Sequence, residues 1–213
     1  MNQQVGVVDY GMGNLRSVEK ALAQVCGGAE IRVSSDPAVI DSVDRVVFPG
    51  QGAMPDCMRE LRARGLDGAV RRAAGEKPFL GICIGLQMLF EHSEEGDTPG
   101  LGLMPGRVRR FPRGMSDVPG GAPLKVPHMG WNRVGQLMSH PVWQDIPDGD
   151  RFYFVHSYYA EGSDPGSQSG ETEYGVRFTC AVARDNIFAV QFHPEKSQMA
   201  GLQLLRNFVN WRP

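Results

Sequence analysis

The stretch PFLGICIGLQMLF, residues 78–90, decides how the chain is read. Phe79, Leu80 and Ile82 form an apolar run that ends in Gly81-Ile82-Cys83-Ile84-Gly85 and passes into Leu86, Met88, Leu89 and Phe90. The pattern predicts a buried strand, a sharp turn and a helix. Gly81 and Gly85 flank the cysteine symmetrically, which makes this the cysteine counterpart of the G-x-S-x-G nucleophile elbow. Such a turn strains its central residue and demands small neighbours. The side chain then projects at the carboxyl end of a strand and the first turn of a helix. Backbone N–H groups there lack acceptors, and the positive end of the helix dipole lies close by. Both favour thiolate over thiol. The plainer alternative is a buried cysteine between two packing glycines.

Upstream, Val5 to Asp9 is an apolar run before Gly11-Met12-Gly13-Asn14. A helix follows from Leu15, with Leu15, Val18, Leu22 and Val25 as its stripe and Asn14 as N-cap. A dinucleotide-binding G-x-G-x-x-G would need its third glycine at Arg16, so that fingerprint fails. The turn is a strand-to-helix connection at a strand's carboxyl edge, where ligand or partner contact can occur. Ile31–Ser34 and Asp44–Phe48 read as strands, the latter entering Pro49-Gly50-Gln51-Gly52. Glycines on either side of Gln51 permit close approach of another molecule and can aim N–H groups at an anion; a simple turn is the alternative. Met54–Leu61 and Leu66–Ala74 read as helices. This order of elements predicts an α/β fold with an open, largely parallel central sheet flanked by helices.

After Glu91 the pattern turns antiparallel, giving a smaller second part. Residues 93–106 and 112–123 are rich in Gly, Pro and Ser and read as loops. Strand candidates are Val108–Phe111, Trp131–Val134, Phe152–Tyr159, Gly175–Phe178, Cys180–Arg184 and Phe188–Phe192. Ser163–Gly170 reads as a mobile surface loop. Ser197–Trp211 reads as a closing helix with Met199, Leu202, Leu205 and Phe208/Val209 inward. With no repeat or linker, residues 1–213 read as one domain.

At 213 residues and 41% hydrophobic, the chain has ample material for a core. A formal charge of −2 without a basic run argues against nucleic acid or a membrane surface as partner. Arg107, Arg109, Arg110 and Arg113 alternate with Val108 and Phe111 like the wet face of a strand. The segment MNQQVGVVDY carries no secretory pattern, and no apolar run is long enough to span a bilayer. Cys26, Cys57, Cys83 and Cys180 contain no C-x-x-C pair, which argues for a reducing cytoplasm. Cys57 falls in step with Met54, Met58 and Leu61 as helix core, and Cys26 and Cys180 read as packing residues.

A nucleophilic cysteine needs a base, and the base an orienting group. His193 closes the run FAVQFH, with Glu195 two residues on. Cys83, His193 and Glu195 form a candidate triad; His-Pro-Glu as a capped turn is the alternative. His156 and His128 compete as bases, whereas His92 and His140 read as surface residues. No metal-ligand spacing is present, so neither metal nor cofactor is implied.

Pro49–Gly52, Gly81–Gln87 and QFHPEKS (191–197) together resemble the class I (triad) glutamine amidotransferases. DYGMGNLRS (9–17), KVPHMGWN (125–132), YFVHSYY (153–159), TEYG (172–175) and QFHPEKSQ (191–198) are similar to the glutaminase subunits of imidazole glycerol phosphate synthase. The likeness covers nearly the whole chain. Gln51 departs from the smaller or aliphatic residue usual there, and the loops near 113–123 and 163–170 are longer than usual. The resemblance implies that Cys83 attacks the side-chain amide of L-glutamine, with His193 as base oriented by Glu195. It implies an oxyanion site at Ile84 and at Gln51 or Gly52, and a substrate pocket of Gly50, Gln87, His156, Ser157 and Tyr158. It implies a heterodimer with a (β/α)8-barrel cyclase that receives the ammonia, with Asn14, Met129, Trp131 and Asn132 near the partner face. The Gly-rich loop 49–52 would complete the oxyanion site only in the assembly, coupling the two activities. Rival readings are a glutaminase of another synthase, a stand-alone cysteine hydrolase of γ-glutamyl or peptide bonds, and a non-catalytic binding module. HMGWN and DYGMGN argue against the first rival, and an intact Cys, His and Glu set against the last.

Overall fold

Val5, Val7 and Val8 are fully buried in the first strand, β1 (Gln4–Val8), which has a strand on either side of it. The computed structural model describes residues 3–116, 118, 121–162 and 164–213. The start of the N-terminal segment, three positions of the 112–123 stretch and Ser163 lie outside the described residues. After β1 come α1 (Leu15–Val25), β2 (Glu30–Ser34), α2 (Pro37–Ser42), β3 (Arg45–Gly50), α3 (Met54–Ala63), α4 (Asp67–Glu76), β4 (Phe79–Cys83) and α5 (Ile84–Gln87). The chain continues through β5 (Phe90–Ser93), β6 (Thr98–Pro99), β7 (Met104–Arg110), β8 (His128–Arg133), β9 (Gly135–Gln136), β10 (Arg151–His156) and β11 (Tyr158–Gly162). It ends with β12 (Gln168–Glu173), β13 (Arg177–Arg184), β14 (Ile187–Val190) and α6 (Gln198–Asn210).

Among the described residues, twelve strands join one sheet in the order β2-β1-β3-β4-β14-β13-β11-β7-β5-β6, with β12 on β13 and β9 on β12. The five strands from β2 to β14 run parallel; beyond them β13, β11 and β7 pair antiparallel, β5 lies parallel to β7, and β6 is antiparallel to β5. Strands β8 and β10 form a separate antiparallel pair. The α/β architecture agrees with the sequence reading. Helix α1 packs on α6, and α2 on α4. Asn14 caps α1 by accepting from the Ser17 N–H at 3.4 Å. No helix of the described residues is long and apolar enough to cross a membrane.

The register places the site. Gly50 of β3 pairs with Cys83 of β4, and Val190 of β14 pairs with Ile82. The carboxyl ends of three parallel strands therefore bring Gly50, Cys83 and the residue after Val190 side by side, the usual location of a site in an α/β sheet.

Several sequence expectations are corrected. The helix after the elbow is one turn long, and Phe90 already begins β5. The third strand runs on through Pro49 and Gly50. Helix α2, which the sequence reading omits, starts at Asp36-Pro37, where the Asp36 carboxylate caps the Ala38 N–H at 2.9 Å. Part of 93–106 is strand rather than loop. Phe152–Tyr159 is two strands broken at Ser157: β10 pairs with β8 and β11 with β7, so the chain changes sheets there. Conversely, Gly175–Phe178 and Cys180–Arg184 merge into β13. The 163–170 segment is not a mobile surface loop where it is described. It contains a short 3-10 turn and the start of β12, and Ser169 is buried as acceptor for Trp143 Nε1 at 2.9 Å. Leu204 points inward in α6, and Met199 is exposed. His140 is half-buried against Phe188 and Trp211. His92 is also half-buried and pairs with Asp97 at 2.9 Å.

Candidate active site

Cys83 is buried at the tip of β4 with φ 56° and ψ −112°, a positive φ that a side-chain-bearing residue adopts at a cost. Two glycines make that turn possible. A Cβ on Gly85 would lie 1.9 Å from the Phe48 carbonyl oxygen, and one on Gly81 would lie 2.9 Å from the Ala189 Cβ. The elbow thus packs directly on β3 and β14. Because α5 is a single turn, its dipole contributes less than the sequence pattern implies, and the surroundings of the sulfur are set more by neighbouring side chains.

His193 supplies the first of these. Its Nδ1 donates to Glu195 Oε1 at 2.8 Å, and both side chains are buried. The ring's main chain is fixed from two sides. The His193 N–H donates to the Tyr153 carbonyl at 2.9 Å, and the Ser197 hydroxyl donates to the His193 carbonyl at 2.6 Å. Nε2 has no hydrogen bond of ordinary geometry, and the ring shares its cavity with the Cys83 thiol. Burial opposes charging the imidazole, but the Cys83 sulfur, by charge and as hydrogen-bond partner, and then Glu195 outweigh it, raising His193 to about 10.

The cavity encloses about 300 Å³. Its wall contains Gln51 and Gly52 from the loop after β3, Cys83, Ile84 and Gln87 from the elbow, His193, and His156, Ser157 and Tyr158 from the break between β10 and β11. Gly50 is not on this wall. It packs behind it, where a Cβ would meet Ile84 and the Tyr10 hydroxyl at 2.7 Å. Glu95, Pro127 and Val155 complete the wall, and the sequence reading omits all three. Glu95 lies in a Gly/Pro/Ser-rich stretch read as loop, but its carboxylate also accepts the Met54 N–H at the start of α3, at 2.8 Å.

Of the four buried side-chain polar atoms without a hydrogen-bond partner among the described residues, three cluster here: His193 Nε2, Glu195 Oε2 and Gln87 Oε1. Buried polar atoms are otherwise paired, so such a cluster marks a place kept for a ligand or for chemistry.

The competing bases are committed elsewhere. Tyr158 O accepts from His156 Nδ1 at 2.8 Å, and His156 Nε2 meets His128 Nδ1 at 3.0 Å. A carbonyl only accepts, so His156 carries its proton on Nδ1 and receives one at Nε2 from His128. Burial, the largest influence, drives His156 down to about 3; the Tyr158 carbonyl opposes this, while His128 and His193 add to it. Its unfolded value is near 6.5, so between about pH 6.5 and pH 3 the unfolded chain binds a proton that the folded chain refuses. Stability therefore falls with acidification. His140, lowered to about 4 by burial, acts in the same direction. His193 has the opposite sign, and its contribution fades as pH rises from 6.5 through about 10. Thermal melts are expected to peak near neutrality and to fall already between pH 6.5 and 5, above the range of ordinary carboxylates. A flat profile there would mean His156 is not held neutral.

The expected partner-face residues are distributed unevenly. Met129 and Trp131 project from one side of β8, 63% and 43% exposed, and Met199 shares a groove with Trp131. Asn14 is exposed at the start of α1. Asn132 instead directs its amide inward, donating to the Glu173 carbonyl at 2.8 Å and lying 3.4 Å from His128 Nε2.

The chain belongs to the glutamine amidotransferase class-I family, whose model matches residues 6–211. Within it, the chain is 64% identical to imidazole glycerol phosphate synthase subunit HisH of Dechloromonas aromatica, covering 99% of this chain and 98% of that one. It is 62% identical to the subunit of the same name from Aromatoleum aromaticum, covering 98% and 99%. Among solved structures, PurLQS from Thermotoga maritima superposes with a TM-score of 0.72 at 18% identity, over 99% of each chain, a likeness of fold.

Proposed function

We propose that this chain is the glutaminase subunit of an imidazole glycerol phosphate synthase, hydrolysing L-glutamine to glutamate and ammonia in histidine biosynthesis. The observation that carries the reading is the His193 ring, held by Glu195 at 2.8 Å and raised by the Cys83 sulfur at the wall of the cavity. The Cys83 proton passes to His193 Nε2, and the resulting thiolate attacks the side-chain amide carbon. His193, oriented by Glu195, returns that proton to the departing ammonia, and water hydrolyses the γ-glutamyl thioester.

The oxyanion falls to backbone donors. Ile84 is the first helical residue after the elbow, where an N–H has no intrahelical acceptor. On the other side, the Cys57 thiol donates to the Gln51 carbonyl at 3.5 Å and the Tyr10 hydroxyl to the Pro49 carbonyl at 3.0 Å. Burial raises both groups, Cys57 to about 11, so they remain protonated donors. A trans peptide sets N–H opposite C=O, so the Gly52 N–H turns away from Cys57; this favours Gly52 over Gln51 as donor. Gln87 Oε1, buried and unpaired, and the Glu95 carboxylate suit the donors of an amino-acid substrate, with Ser157 and Tyr158 completing the wall.

The partner is a cyclase with a (β/α)8 barrel, seated on Met129, Trp131 and the α1 end at Asn14, and the assembly is cytoplasmic. The test mixes the purified chain with the cyclase and follows glutamate release. Turnover should rise by at least about tenfold when the cyclase carries its nucleotide ligand, the scale of a typical coupling free energy. Equal turnover by the isolated chain would overturn the coupling, and absence of glutamine hydrolysis in the full assembly would overturn the activity.

A further inference from the structure

Gln191 is fully buried one residue beyond β14, outside the triad, and its backbone N–H donates to the Cys180 carbonyl at 2.8 Å. Parallel pairing of Val190 with Ile82 makes Gln191 and Cys83 the next neighbours along β14 and β4. The Gln191 Nε2 lies 3.7 Å from the Cys83 sulfur.

Which end of the amide faces sulfur follows from one carbonyl. Tyr158 O can only accept, and it receives the Gln87 Nε2 at 2.9 Å. The same Gln87 nitrogen lies 2.9 Å from Gln191 Oε1, which must therefore be the oxygen end. The Gln191 NH2 is left on the sulfur side. Turning the Gln191 amide over would set nitrogen against nitrogen at one end and oxygen against a thiolate at the other. The same carbonyl also accepts from His156 Nδ1.

We propose that Gln191 is a catalytic residue, donating an Nε2–H hydrogen bond to the Cys83 thiolate, and that Gln87 is its positioning residue. The inference rests on the reading of Cys83 as nucleophile. No atom is transferred to or from Gln191: the thiol proton goes to His193 Nε2, and Gln191 keeps both of its protons. The amide and the imidazolium together replace the water that a free thiolate would hold. When the sulfur bonds to the substrate carbon, its charge moves to the amide oxygen and the Gln191 contact weakens. The donor thus acts on the resting ion pair, before attack.

A hydrogen bond to a charged group shifts an ionisation equilibrium by about tenfold or somewhat more. The test is alkylation of the intact protein by iodoacetamide, following the Cys83 peptide by mass spectrometry so that Cys26 does not interfere. In Gln191→Leu, Cys83 alkylation is expected to be about tenfold slower than wild type at pH 6 and to converge with it at pH 10. Because Gln191 is buried, a second measurement uses the wild-type fold. The side-chain NH2 resonance of Gln191 should move with pH between 5 and 9 in the wild type and stay fixed in Cys83→Ala. A folded Gln191→Leu protein with the wild-type alkylation profile, or an NH2 resonance indifferent to Cys83→Ala, overturns the inference alone. A wild-type Cys83 that is unreactive at pH 6 overturns the nucleophile reading, and this inference with it.

Discussion

Cys83→Ala, assembled with the cyclase and its ligand, should release glutamate at least about 10⁴-fold more slowly than wild type, because nucleophile and base act as one unit. Partner binding and overall fold should be unchanged, since the thiol makes no backbone hydrogen bond that holds the elbow. The same substitution removes the sulfur that raises His193, so the alkaline decline in stability should shrink. Cys83→Gly is the informative companion. At φ 56° glycine relieves strain that alanine retains, so the glycine variant should melt higher than the alanine variant while being equally inactive. Glutamate and ammonia assays with thermal melts check each part. An alanine variant retaining a tenth of the activity would remove Cys83 from the chemistry.

The second large effect is structural. Gly85→Ala places a methyl carbon 1.9 Å from the Phe48 carbonyl oxygen, a backbone atom that cannot swing aside. The β3–α5 contact must open, which costs about 3 kcal/mol, the upper end of overpacking penalties. For a chain of this length that corresponds to a fall of roughly 10 °C in melting temperature. Gly75→Ala is the control. It lies exposed in α4 with nothing within 4 Å of the added carbon, and should be neutral or stabilising by about 0.5–1 kcal/mol. If both variants melt alike, the close approach of Gly85 to β3 is wrong.

The sequence is most legible where local chemistry and tertiary demand agree. The elbow needs an apolar strand, two glycines and a nucleophile, and each leaves a mark at fixed spacing. His193 and Glu195 are legible for the same reason: they follow an apolar strand closely, two residues apart. The break at Ser157 is not, because FYFVHSYY contains no glycine or proline and only the available pairing partners, β8 on one side and β7 on the other, divide it. Composition misleads at 167–170, where serine and glycine signal a loop. Their polar groups are satisfied internally, the Ser167 hydroxyl by the Asp164 carbonyl and Ser169 by Trp143. Helix α2 leaves a readable Asp-Pro start, but at six residues it is too short for periodicity to announce it. Glu95 and Gln191 reach the site through long-range contacts that no local spacing encodes.

The two halves of the chemistry stand on supports of unequal stiffness. Cys83 is rooted in the middle of the large sheet, with β3 and β14 on either side. His193 is tethered through its own N–H to Tyr153 of β10, and Tyr153 lies directly across from Trp131 of β8. A two-stranded ribbon is the most compliant form of sheet. A partner pressing on the outer indole is therefore expected to act on Tyr153 and the His193 main chain it holds, while the sulfur stays rooted in the large sheet.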